Sequence, residues 1–179
     1  CCRTAALALE NLPRQPAAFS RSSKTLHAAD AEMKPITATR AINAPLELVF
    51  QCISAPIMLQ KAISGITDVE FLSDERRGVG THFRESRLIN RRLQSRTCCV
   101  IVYTVNRSVR FLSAYRNSLW VSRFSVEQAT RSVVVNVELY APLPNSLFCK
   151  LVASLARRRA VQLIECDLDF VKLFCETGI

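Results

Sequence analysis

The feature that most constrains this chain is its last stretch, residues 142–176, which holds no glycine and no proline after Pro144. At 1.5 Å per residue a helix of that length spans roughly 45 Å, more than the width of a small domain, so it must lie across another layer. Winding at about 100° per residue gathers Phe148, Val152, Leu155, Ala156, Leu163, Cys166, Phe170, Leu173 and Phe174 on one apolar face. Lys150, Ser154, Arg158, Glu165, Asp169, Lys172 and Glu176 fall on the opposite face. One face requires burial, and the strand-like segments upstream are long enough to supply the partner.

Residues 35–42 alternate, with Ile36, Ala38, Arg40 and Ile42 on one side of a strand. Pro45 and Pro56 each suit the first position of a helix. Leu46, Val49, Phe50 and Ile53 form the stripe of the first, and Gly65 is the expected stop of the second. Strand-like segments follow at 66–73, 79–90, 93–106, 109–115, 119–127 and 131–140, joined by short polar links suited to hairpins. The predicted class is α+β: a curved seven-stranded antiparallel sheet wrapped around a long C-terminal helix, with two short helices after the first strand.

Residues 1–32 read differently, as Ala and Ser with scattered arginines and no sustained period. The expectation is an N-terminal extension, poorly ordered or not native to the domain, ahead of a single domain at 33–179 that begins at Met33. A remnant of an organelle transit peptide is the other reading. Eight cysteines with no CxxC pair, in a chain too large to depend on staples, point to buried reduced thiols and a cytoplasmic setting. The longest apolar run before the final helix, residues 98–105, is far short of the roughly twenty residues that cross a membrane. Of the net charge of +9, most is in the domain, where 20 basic face 12 acidic side chains. That balance is read as a solubility feature without specific nucleic-acid binding, with transient contact to an anionic membrane left open.

Three short motifs carry a resemblance: Ile42-Asn-Ala-Pro45 followed by Val49-Phe50, Gly78-Val-Gly-Thr81 opening a strand, and Asp167-Leu168 with Lys172 and Glu176 closing the long helix. In their order and spacing residues 33–176 resemble the SRPBCC superfamily. These are the START-like, polyketide cyclase/dehydrase and lipid-transport proteins that share the helix-grip fold of the birch-pollen allergen. The resemblance implies a cavity between sheet and helix for an apolar or amphipathic small molecule, and it does not identify the ligand. Tyr115-Arg-Asn-Ser118 stands where such a chain is expected to have a glycine turn, and Asn can take the left-handed conformation there.

For catalysis the sequence offers little. The two histidines are His27 in the extension and His82 on the solvent parity of a strand, so a histidine-based triad is not expected. No metal site, cofactor or catalytic residue is assigned. The parity that turns Thr81 and Phe83 inward also turns Glu85 and Arg87 inward. Either they pair in the interior, or the twist carries them to the cavity mouth. Arg159 falls in the middle of the helix's apolar face. Either it snorkels to an edge, or it is a pocket cation that meets Glu85 or a ligand's carboxylate. Trp120, Phe124, Phe111, Tyr103, Tyr115, Val135 and Leu163 complete the expected lining.

The leading functional reading is binding or transport of a small hydrophobic or amphipathic ligand. The alternatives are a cyclase or dehydratase in which Glu85 is general acid or base and Arg159 stabilises an enolate, and a mitochondrial quinone- or lipid-binding protein.

Overall fold

A computed structural model of the chain describes residues 35–89, 91–115, 118–140 and 147–178. The expected extension at 1–32 and the boundary at Met33 lie outside these residues. Strand β1 (Ile36–Ile42) leads into helices α1 (Leu46–Ser54) and α2 (Pro56–Ala62). Strands β2 (Ile66–Phe71), β3 (His82–Ile89), β4 (Arg92–Thr104), β5 (Ser108–Tyr115), β6 (Ser118–Gln128) and β7 (Val133–Tyr140) follow, and helix α3 (Leu147–Thr177) ends the order. The seven strands form one sheet in the order β1-β7-β6-β5-β4-β3-β2, antiparallel throughout.

Because β1 and β2 are the two edges, the α1–α2 segment must cross the sheet to connect them. Proline sets its geometry. Pro45 caps α1 and is not its first turn, and Pro56 occupies the first turn of α2. Ala55, held extended by the proline after it (φ −102°, ψ 119°), ends one helix and starts the next. The expected stop at Gly65 is not used. α2 ends on Ile63 in an extended conformation, and Ile63 is buried in the core.

The sheet curves through bulges between Ile66 and Asp68 in β2 and between Val100 and Val102 in β4. Gly78 and Gly80 have positive φ values of 90° and 92°, so the segment expected to start β3 at Val79 is a turn, and β3 begins at His82. At one end of the concave face, Val109, Val126, Val133 and Val135 form a solid core with Val49, Phe50 and Ile53 of α1. At the other end the space between sheet and α3 is not filled.

Helix α3 is present as the sequence predicts, but it is turned about one third of a turn from the expected face. Its buried stripe is Leu168, Val171 and Cys175, with Ile164 half-buried beside it. Leu173 is 58% exposed, and Cys166, expected to be buried, is also exposed. Apolar residues lie nearly all round this helix, so hydrophobicity alone fixes its existence and not its rotation. Charge pairs fix the rotation. Arg40 of β1 meets Asp169 at 2.8 Å, Lys172 Nζ donates to the Ala41 carbonyl at 2.9 Å, and the Asn43 amide donates to Glu176 Oε1 at 2.8 Å. With the helix held this way, each fully buried apolar side chain of the stripe contributes about 1.5–3 kcal/mol.

Candidate functional site

The unfilled end of the grip is a cavity of about 610 Å³, within the size range of small-molecule sites. Its walls come from α2 (Leu59), from the concave faces of β3 to β7, and from α3 (Ala160, Ile164, Leu168, Val171). Alternation along the strands delivers these side chains. Residues 83, 85, 87 and 89 of β3 face inward, as do 94, 96 and 98 of β4 and 111 and 113 of β5. Three aromatic rings step across the sheet. Phe83 meets Phe111 at 6.1 Å and Phe111 meets Phe124 at 5.9 Å, both edge to face.

A charged chain crosses this apolar wall. Glu85 is 3% exposed and accepts from Arg87 Nε at 2.6 Å. From the adjacent strand, Arg96 reaches the same carboxylate with two contacts of 3.1 Å, one through Nε and one through Nη2. Arg87 then extends through Nη1 to Asp167 of α3 at 2.8 Å. Two arginines thus alternate with two carboxylates, and the chain is neutral. Burial pushes the Glu85 carboxyl up, but the neighbouring Arg96 and Arg87 outweigh it and hold Glu85 below the ordinary glutamate value. For Arg96 burial works against the cation, and Glu85 reverses this and raises its pKa further. In Asp167 burial prevails over Arg87, so its carboxyl is raised.

Arg159 lies on the flank of α3, exposed, where it borders the cavity without entering the charged chain. Of the two outcomes open from the sequence it takes the first, reaching the rim. Its expected meeting with Glu85 does not occur, because Arg87 and Arg96 occupy that carboxylate. Among the described residues Arg159 has no carboxylate partner. Leu163, 45% exposed, stands one turn further along the same rim.

Of the other residues expected at the site, Phe83, Glu85, Arg87, Phe111, Trp120 and Phe124 all border the cavity. Tyr103 does not. It follows the β4 bulge to the opposite end, where its ring meets Phe50 of α1 at 5.4 Å and its hydroxyl accepts from Arg77 at 2.8 Å. Val135 is likewise in the solid core below α1, and it is Val137 and Leu139, further along β7, that reach the cavity. The side chain of Tyr115 lies outside the described residues.

Sequence reasoning missed Arg96 and Asp167. A signal existed for each. Arg96 shares inward parity with Cys98 on the strand that hairpins with β3, and Asp167 is a carboxylate directly beside the apolar position Leu168 and three residues after Ile164. Among the described residues no group of histidine, cysteine, aspartate and glutamate side chains is arranged to hold a metal ion. No described helix is long and apolar enough to cross a membrane.

No family model matches the sequence. No curated protein matches it either. Solved structures do. The solution structure of KanY protein superposes with a TM-score of 0.62 at 19% identity, over 80% of this chain and 97% of that one. The Aha1 dimer from Colwellia psychrerythraea gives 0.59 at 16% identity, over 82% and 98%. The crystal structure of Ara h 8.0201 gives 0.57 at 11% identity, over 77% and 97%. At these identities the likeness speaks to the fold, which agrees with the strand order, the paired short helices and the terminal helix derived above. The chain has the helix-grip fold.

Proposed function

We propose that this protein binds and carries a small amphipathic molecule, its apolar body in the cavity and an acidic group at the rim against Arg159. The observation that carries this reading is the distribution of charge around the cavity. Glu85, Arg87, Arg96 and Asp167 neutralise one another inside the wall, while Arg159 borders the same space with no described carboxylate to meet. A cation at the edge of an apolar cavity favours a ligand with a matching anion, since a charge-assisted contact adds about 1.5–3 kcal/mol. The rest of the lining is aromatic and aliphatic, which suits a hydrocarbon or fused-ring body.

A cyclase or dehydratase activity on a polyketide-like substrate is the second reading, and one observation bears on it. Glu85 is a poor general acid because two arginines keep it ionised. Asp167, whose raised carboxyl also borders the cavity, is the group that such chemistry would use.

Native mass spectrometry of the purified protein tests the carrier reading. The expected result is a small-molecule adduct, or uptake of one supplied equivalent of palmitate as a discrete mass shift. Conversion of a supplied polyketide-like substrate with turnover would favour the enzyme.

A further inference from the structure

A second, shallower groove adjoins the cavity, about 200 Å³ in volume and lined by Ile63, Leu88, Ile89, Leu163, Phe170 and the Arg87–Asp167 pair among others. It joins the tip of the β3–β4 hairpin to the exposed flank of α3. The hairpin tip is unusual for a solvent-facing surface. Leu88 and Leu93 face each other directly across the two strands, and they are 54% and 66% exposed. Parity puts both on the outer face, away from the core, so core packing does not explain them. The turn between the strands carries Arg91, in the left-handed conformation at φ 61°, and Arg92 follows it. Across the groove stands Leu163, and Arg159, one turn before it on α3, borders the main cavity. The nearest inward carboxylates, Glu85 and Asp167, are already paired with arginines.

Exposed leucines set among arginines that have no carboxylate partner among the described residues are the composition of a surface that meets an anionic bilayer, where apolar side chains enter the headgroup boundary and cations stay at the phosphates. We infer that the β3–β4 hairpin tip and the adjoining flank of α3 form a docking surface for an anionic lipid membrane, and that docking brings the rim of the cavity against the lipid. The leucines favour a bilayer over a nucleic acid, whose phosphates would use the arginines and leave Leu88 and Leu93 in water. This surface goes beyond the cavity reading and stands or falls separately from it, because Leu88, Arg91, Arg92 and Leu93 do not line the main cavity.

Co-sedimentation of the full chain with vesicles tests the inference, comparing pure phosphatidylcholine with phosphatidylcholine containing phosphatidylglycerol. Each arginine near an anionic surface is worth about fivefold in partitioning, so Arg91→Ser with Arg92→Ser is expected to lower binding to the anionic vesicles by about 30-fold. Leu88→Ser with Leu93→Ser is expected to abolish the binding that survives high salt. Far-UV circular dichroism and the melting temperature, within about 2 °C of the parent, should be unchanged in both double variants, which shows that they are folded whether or not the cavity takes a ligand. The inference is overturned if the parent sediments equally with neutral and anionic vesicles. It is also overturned if the parent binds single-stranded DNA and not vesicles, or if neither double variant changes vesicle binding.

Discussion

Replacing Glu85 with Gln tests the charged chain in the cavity wall, because it keeps the size of the side chain and removes only its charge. Arg96 would lose the partner of its two contacts, and Arg87 would be left with Asp167 alone. Removing one member of a buried ion pair costs about 3–5 kcal/mol. The lower end applies here, since the Arg96 side chain keeps 35% of its exposure and can be partly rehydrated. A loss of about 3 kcal/mol corresponds to a fall in melting temperature of about 6–12 °C for a chain of this size. Calorimetry at neutral pH and urea titration measure it. The pH dependence supplies a second handle. The folded-state pKa of Glu85 is depressed, so its contribution is fully present above the ordinary glutamate value of about 4.3 and is lost as pH falls through the lower folded value. The gap between parent and E85Q should therefore close on acidification. Asp167 runs the other way in the parent. Its folded-state pKa is raised, so its ionisation at neutral pH works against the fold, and that deficit disappears as pH falls through the raised value. A double variant, E85Q with R96Q, should recover part of the loss by removing the stranded cation. A melting temperature within about 2 °C of the parent, or a gap that does not change with pH, would refute the reasoning.

The rotation of α3 predicts opposite costs for two leucines on one helix: Leu168→Ala should lose about 2–5 kcal/mol in urea denaturation and Leu173→Ala less than about 1 kcal/mol. Equal costs would mean that the buried stripe is misplaced. Arg159→Met keeps length and removes charge, so it should weaken anionic probes by about tenfold or more and leave neutral ones alone. If both classes lose affinity equally, Arg159 is a packing residue. Among the described thiols, Cys166 should alkylate ahead of Cys52, Cys98 and Cys175 when labelling is followed by peptide mass spectrometry, because it is exposed and the other three are buried. Faster labelling of Cys98 would contradict its place in the core.

How far the sequence could lead depended on which force decided each feature. Where one face of a strand is buried, alternation is strict, and the inward direction of Phe83, Glu85 and Arg87 could be counted directly from it. The β4 bulge breaks that counting. Beyond Val100 the inward parity changes from even to odd, so Tyr103 faces inward but belongs to the end plugged by Phe50. Linear position does not say which end of the grip a helix will plug, and Val135 was misplaced with it. In α3 the apolar residues are too numerous to define a stripe. Its rotation depends on long-range partners such as Arg40 and Arg87, which no local pattern shows. The same rotation moves Arg159 from the centre of the presumed apolar face to the rim. Arg96 and Asp167 went unassigned because each looked like an ordinary surface charge until its partner on another element was known.

The most direct test of the central claim is a titration with palmitate followed through Trp120, the only tryptophan in the chain and part of the cavity wall. The account predicts a saturable, one-to-one change in Trp120 emission, competed by an environment-sensitive apolar dye that occupies the same space. No change in emission and no dye binding at any concentration would mean that the cavity does not accept an apolar ligand, and the carrier reading would be wrong.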